Sequence, residues 1–370
     1  MKIKQLYIYP IKSLRAVPLS QAILTPTGFP HDRRFMLFKI EKDGPQAQRT
    51  LTRMTVTYFP QMGLFTQEVC LSQGLFTVTY TPPPTAGPED GVEGGIEDDR
   101  RTTLELPLEP VTETLEKVDV SLHGSDAKAL NMGNAINGWF SNCFGWEVML
   151  VYLPPGHTRK VLGNLAPNSA NTGDDQEAVN ASQSSWLSTF ASYVPNVLQG
   201  NEAKEKNEGL TFADCAPYLV VTQESINDVT ERLVEGWHAD VTKFRPNIVL
   251  EGAASAYEED YWGAISILPD PDRAIDIILT QNCIRCQSLD IDYTTGTFGK
   301  GEEGTVLKKL MRDRRVDKGK KYSPVFGRYG FLAEDHDSKG PRGGMAMIGD
   351  DVRVSKRNEE RTRFYWPGLM

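Results

Sequence analysis

"AIDIILTQNCIRCQSLDIDYTTG", residues 274 to 296, alternates β-branched residues up to two cysteines, then alternates again towards a Thr-Thr-Gly turn. Ile275 to Thr280 reads as a strand, and so does the stretch after the cysteines, because β-branched residues at period two fit a pleated, half-buried surface. A pair lying between two strands lacks the helix N-terminus that stabilises a thioredoxin-like thiolate. Zinc is disfavoured too. The five histidines (His31, His123, His157, His238, His336) and the remaining cysteines (Cys70, Cys143, Cys215) contain no second closely spaced pair to complete four ligands around Cys283 and Cys286. From the residues alone two readings stay open: one working thiolate beside the fixed charge of Arg285, or two buried apolar cysteines.

The same strand pattern recurs at Ile3 to Tyr9, Arg34 to Ile40, Leu75 to Tyr80, Glu147 to Tyr152, Tyr218 to Thr222, Asn247 to Glu251 and Asp351 to Val354. Helical spacing is rarer. It occurs over residues 131 to 145, closing on Gly145, over residues 224 to 233 behind a Thr222 cap, and over residues 305 to 311. Strands with few helices and no regular βαβ alternation predict a β-rich α+β fold built on barrel-like sheets. Two stretches read as insertions. Residues 81 to 100 are acidic and Pro/Gly-rich, which predicts a solvated, flexible loop. Residues from about 154 to 208 are polar but enclose SSWLSTFASYVPNVL, where Trp186, Phe190, Tyr193, Val194 and Val197 share a helical face that would dock on the parent domain or, as the lesser reading, form a substrate lid.

A length of 370 residues predicts two domains, since single cores rarely grow past ~250 residues. The net charge of −9 argues against nucleic-acid binding, which rests on cationic neutralisation of phosphates. No apolar run approaches the ~20 residues that cross a bilayer, so no transmembrane segment is expected. The start, MKIKQLYIYPIKS, lacks signal-peptide character, and an odd number of scattered cysteines fits a reducing compartment; a cytoplasmic location is the default.

Several cations stand beside turns or strand ends: Lys12 and Ser13 in "YPIKS", Arg33 and Arg34 in "HDRRF", Arg245 and Asn247 in "KFRPNIV". Arginine forks and lysine ammonium groups next to hydroxyl or amide donors suit a phosphate. Asp214 in "FADCAPYLVV" has the position of a turn or cap residue.

In this order, "LYIYPIKSLRAVPL", "DRRFML", "AINGWFSNCFGWEVMLV", "DCAPYLVVTQESINDV", "FRPNIVL", "CIRCQSLDIDYTTG", "YSPVFGRYG" and "IGDDVRV" resemble the MOSC proteins (molybdenum-cofactor sulfurase C-terminal domain), particularly the branch of the mitochondrial amidoxime-reducing component and its YcbX-type relatives. The resemblance implies a MOSC-associated β domain over residues 1 to 120 and a MOSC domain, a distorted β-barrel, over residues 121 to 370. It implies a molybdenum held by a pterin dithiolene (the molybdenum cofactor, Moco) and by the cysteine that follows Arg, here Cys286. By the same resemblance Lys12, Ser13, Arg34, Arg245, Asn247 and Arg285 match positions that hold the pterin and its phosphate. Asp214 matches an acidic residue close to the metal, followed here by Cys215 where the family often has Ser or Thr.

The activity implied is reduction of N-hydroxylated compounds (amidoximes, hydroxylamines, N-hydroxylated bases) by electrons from a separate donor protein. The alternative is a carrier of sulfur or cofactor that uses a Cys286 persulfide. The segment "KKLMRDRRVDKGKK", residues 308 to 321, holds eight basic residues. It reads as a solvated face or as a steering surface for an acidic haem donor of the cytochrome b5 type.

Overall fold

The computed structural model describes residues 1–42, 49–84, 100–163, 165–167, 209–270, 273–333 and 343–366. The helix expected within residues 184 to 198 and most of the acidic loop at 81 to 100 lie outside them.

A closed ring of seven strands organises the molecule. Lys2–Ile8 pairs antiparallel with Ile248–Glu251, and the hydrogen-bonded order runs on through Tyr218–Thr222, Val325–Leu332, Arg273–Ile284, Trp262–Asp270 and Asp351–Arg357 back to Lys2–Ile8. Closure removes the exposed edges that an open sheet of this size would carry. One ring interior is packed with Leu6, Ile8, Trp262, Ile265, Ile275 and Ile277, all essentially inaccessible. At ~25 cal/mol per Å² of apolar surface buried, such a core stabilises without directional bonds.

A five-stranded sheet lies beside the ring, in the order Arg49–Arg53, Phe35–Lys42, Val148–Tyr152, Ser125–Asn131, Glu116–Leu122. It includes strands on both sides of the boundary expected at residue 120. A three-stranded meander, Phe65–Cys70, Leu75–Tyr80 and Thr102–Pro107, shares a core with it through Phe35, Phe65, Phe76 and Leu106. Because the first strand belongs to the ring and the strand at 35–42 to the second sheet, the chain between them crosses from one to the other. That crossing, residues 9 to 34, runs along the site.

The strands expected from the sequence form within one or two residues at their starts, except the one expected after the cysteines, where Gln287–Asp290 is a tight turn and only Ile291–Asp292 is a strand. Among the described residues the α-helices are Asn134–Phe144, Gln223–Glu231 and Val306–Leu310. Gly145 ends the first in the left-handed region at φ 80°, its N–H returning to the Ser141 carbonyl at 2.8 Å. Thr222 caps the second, its side chain accepting from the N–H of Ser225 at 3.3 Å. Among the described residues no helix is long and apolar enough to cross a membrane.

Candidate active site

The ring strand that carries the cysteines bulges twice against Val325–Leu332, between Leu279 and Gln281 and between Asn282 and Ile284. Bulges bend a strand and re-aim its side chains. Arg285 is tied by its N–H to the Pro324 carbonyl at 2.8 Å, and the chain then leaves the sheet at Cys286 into a single tight turn, Gln287–Asp290. The two cysteines therefore part company. Cys283 is buried, donates to the Tyr329 hydroxyl at 3.1 Å and accepts from Nη1 of Arg285 at 3.0 Å. Cys286 is exposed, within 3.3 Å of Ser288 Oγ and 3.5 Å of Thr57 Oγ1.

Cys286 opens into a cavity of about 370 Å³. Its polar lining comes from Lys12, Ser13, Arg33, Asp214, Arg245 and Arg285, drawn from both ends of the sequence. Each is presented by a pinned turn. The N–H of Lys12 reaches the Phe35 carbonyl at 2.8 Å, and Ser13 follows at φ 70°. Arg33 and Arg245 both adopt the left-handed region, at φ 51° and 57°, and their guanidinium groups cover the buried Tyr9 ring at 4.5 and 4.3 Å. Arg33 Nη1 donates to Asp32 at 2.5 Å and to Asn247 Oδ1 at 3.2 Å, and Nη2 donates to the Arg245 carbonyl at 3.1 Å.

Arg34, expected at the site, is placed away from it. Arg33, not Arg34, lines the cavity; Arg34 donates instead to the carbonyls of Leu153 and Pro154. The physical reason is the left-handed residue at 33, which turns the two neighbouring side chains to different sides. Asn247 stands beneath the site: besides Arg33 it contacts the Leu219 N–H, Asp32 and the Tyr7 carbonyl. Its amide fixes Arg33 in place.

Asp214 sits on a turn held by Arg159, which is buried and donates to the carbonyls of Thr211, Leu122 and Ala213. One carboxylate oxygen accepts from Lys12 Nζ at 2.5 Å and meets His123 Nε2 at 2.9 Å. Desolvation in the cavity works to raise the Asp214 carboxyl, but the Lys12 charge and the His123 contact outweigh it and hold the group well below the usual carboxylate range. Lys12 is lowered by its burial, against the pull of Asp214. Burial, with the Asp214 charge second, pushes the Cys215 thiol well up, so it stays a neutral thiol beside the site.

Among the lining residues that escaped the sequence reading are His123, Tyr329 and Trp366. His123 occupies a two-residue hairpin turn with Gly124, at φ 57° and 80°, between Glu116–Leu122 and Ser125–Asn131. The alternation of VDVSL and SDAKALN around His-Gly was the available signal. Tyr329 enters from a ring strand, and Trp366 from the segment after the last strand; neither has a local signature.

Two family models match the chain: "MOSC N-terminal beta barrel domain" over residues 1–147 and "MOSC domain" over residues 207–353. The chain belongs to the MOSC proteins. Both matched segments line the cavity of this MOSC protein, the first through Lys12, Arg33 and His123, the second through Asp214, Arg245 and Cys286. The MOSC chain is 24% identical to the mitochondrial amidoxime reducing component 2 of Macaca fascicularis over 88% of its own length and 78% of the relative's. It is 24% identical to the human mitochondrial amidoxime-reducing component 1, over 95% and 82%. It is 23% identical to the molybdenum cofactor sulfurase of Aspergillus niger over 95% of its own length, but spans only 41% of that protein.

Proposed function

We propose that this chain holds a molybdenum pterin cofactor in the cavity, with Cys286 as the protein's ligand to the metal, and reduces N-hydroxylated compounds such as amidoximes, hydroxylamines and N-hydroxylated bases. The observation that carries the reading is an exposed thiol beside an excess of shielded positive charge. Lys12, Arg33, Arg245 and Arg285 face Asp32 and Asp214, and Nη2 of Arg245 is buried without a hydrogen-bond partner among the described residues. Buried charge is costly unless it is paired, so this lining fits an anionic, phosphate-bearing ligand. The soft Cys286 sulfur suits a thiophilic metal. Lys12, Ser13, Arg33, Arg245 and Arg285 would hold the pterin and its phosphate.

When bound, the cofactor supplies the two-electron redox couple, and the net change is R–NHOH + 2 e⁻ + 2 H⁺ → R–NH₂ + H₂O. The chain's own groups orient the substrate. Asp214, held ionised, accepts a hydrogen bond from a substrate N–H, and His123 stands next to it to hold or deliver a proton at the departing oxygen.

Electrons come from a separate, acidic donor protein in this reading. In the segment 308 to 321, Lys308, Arg312, Arg315, Lys318 and Lys321 are exposed, whereas Arg314 turns inward to Asp260 and Lys309 pairs with Glu302. Lys320 from this stretch and Ser323 just after it reach the cavity lining, so a donor seated there stands near the site. Turnover with a cytochrome b5-type donor is expected to fall steeply with salt while turnover with a small artificial donor stays flat; equal salt responses refute the docking.

The decisive experiment is metal analysis and benzamidoxime reduction after expression in a host that makes the cofactor. Cys286→Ser should lose activity by at least a hundredfold with its fold intact, and undiminished turnover would overturn the reading. The sulfurase relative favours a second reading, a carrier using a Cys286 persulfide. A persulfide detected by mass spectrometry in protein lacking pterin would select it.

A further inference from the structure

Of the two cysteines in the motif, the proposed function uses Cys286 and leaves Cys283 without a task. Cys283 is 2% exposed and packs among Leu219, Phe244, Leu289 and Phe326. It stands at the second bulge of its strand, between Asn282 and Ile284, and two residues before Arg285. Side chains two apart on a strand point to the same side, whereas a residue three on points the other way. The spacing therefore gives the Cys283 sulfur to Arg285 rather than to Cys286.

What holds Arg285 differs from what holds Arg33. Arg33 is paired with the Asp32 carboxylate, which offsets its charge. Among the described residues Arg285 has no carboxylate partner: Nη1 donates to the Cys283 sulfur at 3.0 Å, Nε is buried with none, and the guanidinium lies over the Phe244 ring at 5.5 Å. Its Nη2 is neither bonded among these residues nor sealed from solvent, and Arg285 lines the cavity. The sulfur is itself fixed. Its S–H donates to the Tyr329 hydroxyl at 3.1 Å, and that hydroxyl in turn meets the Cys215 thiol beside Asp214. Each link donates in one direction, from Arg285 through Cys283 and Tyr329 to Cys215. A thiol is a weak acceptor that fixes geometry without cancelling charge, so the chain orients Arg285 and leaves its charge to a ligand.

We infer that Cys283 is a positioning residue: clamped by Tyr329, its sulfur sets the Arg285 guanidinium against the anionic part of the ligand that Cys286 holds. The inference rests on the reading of the cavity as a cofactor site and adds a residue to it. The two cysteines then have separate tasks, one binding the metal and the other orienting the charge next to it. A partner one step behind a ligand-binding group typically contributes about ten- to a hundredfold in affinity.

The test measures the rate at which molybdenum is lost on dialysis of the cofactor-loaded protein. Cys283→Ala, which removes the acceptor, should speed the loss about tenfold, and Cys283→Ser, which keeps a donor and an acceptor there, should bring it back to within about threefold of wild type. Added to Arg285→Met, Cys283→Ala should have no further effect, because the group through which it acts has gone. An unchanged rate in Cys283→Ala, equal rates in the Ala and Ser variants, or the same acceleration in the Arg285→Met background overturns the inference. If Cys283→Ala fails to fold, Tyr329→Phe decides: it loosens the sulfur and should speed the loss about threefold when Arg285 is present and not when it is absent, and any other pattern overturns the proposal. If the wild type carries no molybdenum, the cofactor reading itself fails. Calorimetric binding of inorganic phosphate then tests the positioning alone: Cys283→Ala should weaken it as Arg285→Met does, and equal or absent binding in wild type and Cys283→Ala rejects it.

Discussion

Two groups of arginines, both gathered from distant parts of the chain, end in opposite chemical situations. Around Asp260, which is fully buried, Arg314 Nη2 lies 2.8 Å from both carboxylate oxygens and Arg361 Nε 2.7 Å from one. Arg328 donates to Asn282, Thr362 and the Leu279 carbonyl, each at 2.7 Å. Among the described residues, the guanidinium atoms of this group that lack partners are the inner Nε atoms of Arg314 and Arg328. At the cavity Arg245 Nη1 donates to the Leu14 carbonyl at 2.9 Å, but its other tip nitrogen, Nη2, has no partner among the described residues, nor does the Nε of Arg285. The same residue type serves stability where the fold supplies acceptors at its tip, and ligand binding where the tip is left over.

That contrast breaks most sharply under paired substitutions. Asp260→Asn leaves buried guanidinium charge uncompensated and should cost about 3–5 kcal/mol of folding stability in denaturant titrations. Arg245→Leu should change stability by no more than about 1 kcal/mol yet lower the bound molybdenum at least tenfold. The reverse pattern would erase the distinction.

Glu259, next to Asp260 and fully buried, sharpens the structural side. Burial raises its carboxyl from 4.5 to about 7, although Ser225 and Thr222 donate to it at 2.7 and 3.1 Å. A carboxyl raised in the folded state contributes stability that is complete below the unfolded value and is lost as pH rises through the folded one. Thermal melting at constant ionic strength should therefore decline between about pH 4.5 and 7, by on the order of 3 kcal/mol, and Glu259→Gln should flatten that slope.

The smallest effect belongs to Asp214. Its carboxyl is depressed, so the stability that it adds is present above the ordinary carboxylate range and disappears as pH falls below it. Asp214→Asn should cost about 1 kcal/mol at neutral pH, discounted because the side chain is half exposed, and the gap from wild type should close on acidification below about pH 4. A gap that persists would mean that Lys12 finds another partner.

How much of this was legible beforehand follows from how local each signal is. Strands with uninterrupted β-branched or aromatic runs, such as Tyr218–Thr222, could be read directly. Val325–Leu332 could not, since VFGRYGFL contains two glycines and a buried arginine. Gly327 is required there: at φ 80° a side chain would stand 2.7 Å from Val221 and 2.9 Å from the Val220 carbonyl. Trp262–Asp270, with its Gly and Pro, was hidden for the same reason. Lys12, Ser13, Asp214, Cys215, Arg245, Arg285 and Cys286 were singled out through motifs and do line one cavity. Arg34 was chosen over Arg33 because adjacent arginines are indistinguishable until the backbone at residue 33 is known.

By itself the sequence determined the β-rich character, the three helices found among the described residues and the short list of cations and thiols, because period, caps and turn residues act over a few positions. Only the tertiary structure decided which thiol faces open space, which arginine tip nitrogen remains unpaired, and that His123 meets Asp214 with Trp366 packed behind it. Those outcomes depend on a ring closed between residues 2–8 and 248–251, and on strand bulges that aim neighbouring side chains apart. Such contacts join residues hundreds of positions apart, where no local pattern can record them.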